Sequence, residues 1–181
     1  MSLILRPFVP ADEATALAAR AEFEDGEFEF LPFDYDERMS WSDWIDLVER
    51  IRQGVDVPEG RVRAAFLAAD ADGALVGRAS IRFELNDFLA YRGGHIGYGV
   101  CPAFRRRGYA TEILRASIDI ARAEGVGDIL VTCDDDNVGS ATAIERCGGV
   151  LEATVMDDLG VAFRRYWISQ TLSPHTKPDQ G

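Results

Sequence analysis

Cysteine is scarce. Cys101, Cys133 and Cys147 are the only three in 181 residues, they lie far apart, and one is left over if two were bonded. That excludes a disulfide framework and points to free thiols in a reducing, cytoplasmic setting. Histidine is scarcer still, with two residues and no ligand-spaced cluster, so no metal site is expected. No stretch approaches the roughly 18 apolar residues that a membrane helix needs. The opening MSLILRPFVP has neither a basic n-region nor a long apolar core, so no secretory signal is expected. Positive charge is short too: 19 Lys and Arg stand against 31 Asp and Glu, a net charge of −12. Repulsion on that scale argues against nucleic acid and anionic membrane as partners. There are no repeats, and 17 glycines with 7 prolines exclude a collagen-like or Pro-rich chain.

What is present is a 47% hydrophobic chain, enough for one ordinary domain with a core. No linker is visible, so residues 2–170 read as a single domain and 171–181 as a polar tail. Periodicity and turn residues predict a strand at Leu3–Phe8, a helix at Pro10–Phe23 and a second helix at Ser40–Arg52. The second helix carries Trp41, Trp44, Ile45, Val48 and Ile51 at three- and four-residue spacing. Strands are predicted at Ala64–Ala69, Leu75–Leu85 and His95–Val100. A clear helix follows at Gly108–Glu124, then a strand at Asp128–Cys133, a short helix at Ser140–Cys147, and a hairpin of Leu151–Met156 with Ala162–Ser169. The order βααβββαβαββ implies an α/β (α+β) domain, a mixed central sheet with helices on both faces.

The exception to the acidic balance is Arg105-Arg106-Arg107, followed by Gly108, Tyr109, Ala110 and Thr111. Here a strand ends, a turn carries three cations, and a glycine opens a long helix. A helix N-terminus exposes unpaired N–H groups and a partial positive charge, and successive N–H groups in a turn form an anion nest. Gly108 leaves room for the backbone to approach a bulky anion. A pyrophosphate is the expected ligand; a solvated Arg turn is the competing reading of the segment alone. The pattern is neither a Walker loop nor GxGxxG, which disfavours ATP and NAD.

Arg105-x-x-Gly108-x-Ala110 resembles the Q/R-x-x-G-x-G/A motif of the GNAT superfamily of N-acetyltransferases. The likeness extends to Val100 and Pro102, to Asn137-x-x-Ser140 with Gly148-Gly149, and to the element order. The resemblance implies acetyl-CoA as cosubstrate, its pyrophosphate held by the backbone of Arg105 to Ala110 with the Thr111 hydroxyl. It further implies that the strands at His95–Val100 and Asp128–Cys133 splay, with the pantetheine arm in the gap beside Tyr98, Gly99 and Val100. Gly97 and Gly99 fit a bulge or a close approach. Asn137 and Ser140 are expected to contact the cosubstrate, to cap the next helix, or both.

Transfer to an amine needs a deprotonated amine, an oxyanion donor and often an acid for the leaving thiolate. Direct attack in a ternary complex needs no cysteine nucleophile. A backbone N–H between Tyr98 and Val100 is the expected oxyanion donor. Where many relatives carry an acidic Tyr, this chain has Ile144, which leaves Tyr98, Tyr109 and Tyr166 as candidates by type. His95 is the candidate base, at a place where many relatives use Glu, and an ordinary strand histidine is the alternative. Asp134, Asp135 and Asp136 are candidates to bind or deprotonate the acceptor; a solvated loop, the commoner role of such a run, is the other reading. The acidic, aromatic segment from Glu22 to Glu37 suggests a cationic primary amine, either a small molecule or a peptide; a solvated loop with core aromatics is the other reading. A non-catalytic acyl-CoA-binding module is the alternative function, and a homodimer is left open.

Overall fold

The computed structural model describes residues 3–23, 28–31, 35 and 38–170. The strands are β1 (Leu3–Arg6), β2 (Ala64–Ala71), β3 (Ala74–Arg82), β4 (Ile96–Val100), β5 (Ile129–Asp134), β6 (Val150–Met156) and β7 (Ala162–Ile168). The helices are α1 (Glu13–Glu22), α2 (Trp41–Gln53), α3 (Asp87–Tyr91), α4 (Tyr109–Ala123) and α5 (Val138–Arg146), with 3-10 turns at Pro10–Asp12 and Pro102–Phe104. The proposed polar tail, 171–181, lies outside the described residues.

The strands form two antiparallel ladders, β1-β2-β3-β4 and β5-β7-β6. Alternation along β2 assigns its two faces. Ala65, Leu67, Ala69 and Ala71 join a core with Ile113, Leu114 and Ile118 of α4, while Phe66 and Ala68 join one with Ala16 of α1 and Trp41, Trp44 and Val48 of α2. Side chains two apart share a sheet face, so one strand serves both cores. Helices therefore cover both faces, as expected from the sequence.

The local signals explain the element ends. The Ser40 hydroxyl accepts the Asp43 N–H at 3.1 Å and caps α2, a contact worth about 1 kcal/mol. Gly54 closes α2 in the left-handed region at φ 75°. The one element missing from the expected order is α3, whose Asn86 accepts the Leu89 N–H at 2.9 Å. Five residues are too few to show a helical period. The expected strand Leu75–Leu85 accordingly ends at Arg82.

The two ladders meet at one place. Gly94 and Val131 form an isolated bridge, the His95 N–H donates to the Leu130 carbonyl at 2.8 Å, and the Leu130 N–H donates to His95 Nδ1 at 2.9 Å. Gly94, at φ +63°, brings the backbones so close that a Cβ there would lie 2.4 Å from the Leu130 oxygen. Beyond His95, among the described residues, no backbone hydrogen bond joins β4 to β5. The two strands part, and the expected mixed sheet is opened along this line.

Candidate active site

The parted strand β4 leads directly into the Arg-rich turn. Arg105, Arg106 and Arg107 are all exposed. Arg106 sits at φ +63°, and Gly108 caps α4 at φ +88° with open space where a Cβ would stand. The first helical bonds run from the Thr111 and Glu112 N–H groups to the Gly108 carbonyl. The N–H groups of Arg106, Arg107, Gly108 and Ala110 have no acceptor among the described residues. Left-handed backbone at two of three consecutive positions bends the chain so that successive N–H groups form a concave donor set, and α4 adds its positive end. The guanidiniums are braced by rings: Arg105 lies over Phe23 at 5.4 Å and Arg107 over Phe104 at 5.6 Å.

The open edge of β4 follows from its pairing with β3. The Arg82 N–H donates to the His95 carbonyl at 2.7 Å, and the Cys101 N–H to Val76 at 2.9 Å. Odd-numbered positions therefore turn their backbone groups toward β3, and by alternation Ile96, Tyr98 and Val100 turn theirs toward the gap. The β3–β4 register runs without a shift, so the expected bulge is not there; the opening comes instead from the turn at Gly94. Across the gap, the Tyr98 hydroxyl lies 2.9 Å from Ser140 Oγ on α5. Burial pushes the Tyr98 phenol pKa well above its ordinary value, so it keeps its proton. Asn137 caps α5 by accepting the Ser140 N–H at 3.0 Å, which gives this pair the capping role.

The other face of β4 is glycine. A Cβ on Gly99 would stand 2.3 Å from the Phe28 ring, and one on Gly97 would lie 3.6 Å from Arg82 Nη1 and 3.9 Å from Arg78 Nη1. The space beside Gly99 is taken by a ring of this chain. Phe28 also stacks on the Arg78 guanidinium, 4.0 Å from its carbon to the ring centroid.

Several candidate groups are engaged elsewhere. His95 is 7% exposed, and its Nδ1 is occupied by the Leu130 N–H. Burial and the nearby Arg82 lower its pKa below the usual value, so the ring is neutral, protonated on Nε2, and serves as the bolt between β4 and β5 rather than as a free base. Asp134 pairs with Arg92 at 2.9 Å and Asp135 with Arg164 at 2.7 Å, so neither is a free carboxylate. Ile144 is fully buried. The Tyr166 hydroxyl donates to Glu145 at 3.2 Å, and Tyr109, the first residue of α4, packs into the core. Burial raises the Cys101 and Cys133 thiols to about 11, which makes them poor nucleophiles at neutral pH. Of the aromatics in the acidic segment, Phe30 and Tyr35 are core. Glu24, Asp25, Glu27, Phe33, Asp34, Asp36 and Glu37 lie outside the described residues.

A family profile described as an Acetyltransferase (GNAT) domain matches residues 2–150. The chain belongs to the GNAT acetyltransferase family. The solved structures similar to this GNAT domain include yncA from Salmonella typhimurium with its cofactor acetyl-CoA, at 18% identity and TM-score 0.64, covering 100% of both chains. They also include the RimL ribosomal L7/L12 alpha-N-protein acetyltransferase in complex with coenzyme A, at 14% identity and TM-score 0.65, covering 94% of this chain and 95% of that one. A third is the ribosomal-protein-alanine N-acetyltransferase from Brucella melitensis, at 19% identity and TM-score 0.64, covering 92% and 99%. At these identities the likeness is one of fold. Comparison with curated proteins finds no match.

In this GNAT domain the residues that sequence reasoning missed are Gly94, Arg78 and Arg82. Gly94 had a local signal, a Gly93-Gly94 pair before a strand. The two arginines come to the glycine face only through the β3–β4 register, which no spacing in the chain announces. Among the described residues, no group of three or more His, Cys, Asp or Glu could hold a metal, and no helix is long and apolar enough to cross a membrane.

Proposed function

We propose that the chain transfers an acetyl group from acetyl-CoA to a primary amine by direct attack in a ternary complex. The parting of β4 from β5 beside the N-terminus of α4 carries this reading. It puts a strand edge with unpaired donors next to a cationic turn with unpaired donors, the two things that a pantetheine diphosphate requires. The N–H groups of Arg106 to Gly108 and of Ala110, the arginines and the Thr111 hydroxyl receive the diphosphate, and the β4 edge receives the pantetheine amides. The Tyr98 or Val100 N–H stabilises the carbonyl oxygen as negative charge develops on it. Tyr98, held neutral and already bonded to Ser140, is our candidate to donate a hydrogen bond to the departing sulfur, which leaves as the thiolate and takes its proton from water. A thiol pKa near ~8.5 means that this step needs only modest help. His95, with Nδ1 taken, orders the gap, and water deprotonates the amine. Asn137 and Ser140 shape the α5 side. The setting is the cytoplasm. If a second copy binds, the edge strand β6, with Val150, Leu151 and Met156 exposed, is the surface that offers unpaired backbone.

The test is turnover. Calorimetry should detect coenzyme A binding, and acetyl-CoA with primary amines should release free thiol. Binding without release for any amine would leave the non-catalytic module as the function. Tyr98→Phe should lower kcat by about tenfold with coenzyme affinity unchanged; unchanged kcat would remove Tyr98 from the chemistry.

A further inference from the structure

Arg78 is 5% exposed, in a protein of net charge −12, and has no carboxylate in ion-pair contact among the described residues. Its neighbours are a backbone carbonyl, that of Glu29, which accepts from Nη2, and two rings, Phe28 at 4.0 Å and Phe66 at 5.3 Å. Nε is buried without any hydrogen-bond partner. The nearest acidic influence is the exposed Glu29. Burial lowers the guanidinium pKa to about 9, and the neighbouring Arg82 adds to the shift.

An unpaired buried cation is expensive, and an orphaned donor adds to the cost. This chain has 31 acidic residues and aligns carboxylates with arginines elsewhere: Arg6 holds Asp12 at 2.7 Å and Asp70 at 2.9 Å. Arg78 and Arg82 instead converge on Gly97, on the β4 face opposite α4. On the acetyltransferase reading proposed above, α4 covers one face of β4 and leaves this opposite face to the acceptor, which makes a ligand the source considered for the anion that Arg78 lacks among the described residues.

We propose that the acceptor is an amine bearing a carboxylate close by, as an α-amino acid does, and that Arg78 with Arg82 receives that carboxylate. The assignment rests on the acetyltransferase reading and reverses the cationic acceptor suggested by the acidic segment. The entering carboxylate takes up Arg78 Nε, and the Phe28 ring yields part of its stacking contact. A guanidinium fork fits a carboxylate in two parallel bonds. It thereby holds the amine at a fixed distance from the thioester beside Gly97.

The experiment compares free amino acids, their carboxamides and simple diamines as acceptors with the wild-type chain, following thiol release, while calorimetry measures coenzyme A affinity separately. Amino acids should exceed their amides in kcat/KM by on the order of 10- to 100-fold, the scale of a charge-assisted pair. Arg78→Met should erase that preference by raising KM, with coenzyme affinity retained, and Arg78→Lys should restore part of it. If Arg78→Met fails to fold, the wild-type acid-to-amide ratio decides alone. Coenzyme binding with amides or diamines used as well as the acids, or with no acceptor in any series, overturns the proposal. Absence of coenzyme binding overturns the acetyltransferase reading itself.

Discussion

At the start of α4, three arginines stand in solvent around N–H groups that lack an acceptor; on the glycine face of β4, one arginine is buried among aromatic rings. Both regions await negative charge, but they are built for different tasks. The exposed cluster acts at long range, is weakened by salt, and offers its charge to any diphosphate. The buried arginine lies in low-dielectric surroundings, where on the proposed reading a misfit ligand would leave it unpaired and be rejected. On the proposed reading one end would supply affinity for a constant group, and the other choice among variable ones.

The largest separation of the two ends should come from Gly108→Glu. A Cβ at φ +88° meets no atom of the protein, so the fold should survive at a backbone cost of ~1–2 kcal/mol. The side chain would project into the space that the proposed reading gives to the diphosphate, and would bring a like charge. Coenzyme affinity should fall about 100-fold or more by calorimetry, while the acid-to-amide preference of the residual activity stays as it was. If preference and affinity fall together, the two ends are not independent.

The difference in construction also sets how far each region can be read in advance. The diphosphate end is one continuous stretch, Val100 to Thr111, and its chemistry follows from residue types at short spacing. Helices α2 and α4 could be read for the same reason, because their apolar periods are local. The proposed acceptor end assembles Phe66, Arg78 and Gly99 through the β2–β3–β4 register, with Phe28 brought over them from the segment between α1 and α2. His95 could be read as a strand residue but not as a bolt, because its partner, Leu130, is 35 positions away. The ion pairs of Asp134 and Asp135 could not be read either, because Arg92 and Arg164 lie 42 and 29 positions away in the chain.

His95 gives a middle-sized effect at the seam between the regions. Its folded-state pKa is depressed below the ordinary 6.5, chiefly by burial. Above about 6.5 both folded and unfolded rings are neutral and the hydrogen bond to Leu130 is fully counted. As pH falls below that value the unfolded ring takes up a proton that the folded ring refuses, so stability declines toward the folded pKa. His95→Leu should cost about 1–3 kcal/mol at pH 8, because the Leu130 N–H loses its acceptor. It should also flatten the stability profile below pH 6.5 in denaturant titrations. An unaltered pH slope would mean that His95 does not hold the strands together.

The smallest effect concerns what the exposed cluster costs when empty. Arg106 occupies left-handed backbone that a side chain adopts reluctantly, at φ +63°. Arg106→Gly should relieve ~1 kcal/mol of that strain and raise the melting temperature by about 2–4 °C. One exposed charge is lost, so coenzyme affinity should drop by less than about tenfold. Arg107→Gly is the control: its backbone is not left-handed, so glycine there should lower stability through chain entropy alone. Opposite signs at adjacent positions would show that the turn is held in its anion-ready shape before any anion arrives. Equal signs would mean that the shape costs nothing and that the turn is no more prepared for its ligand than the aromatic face is.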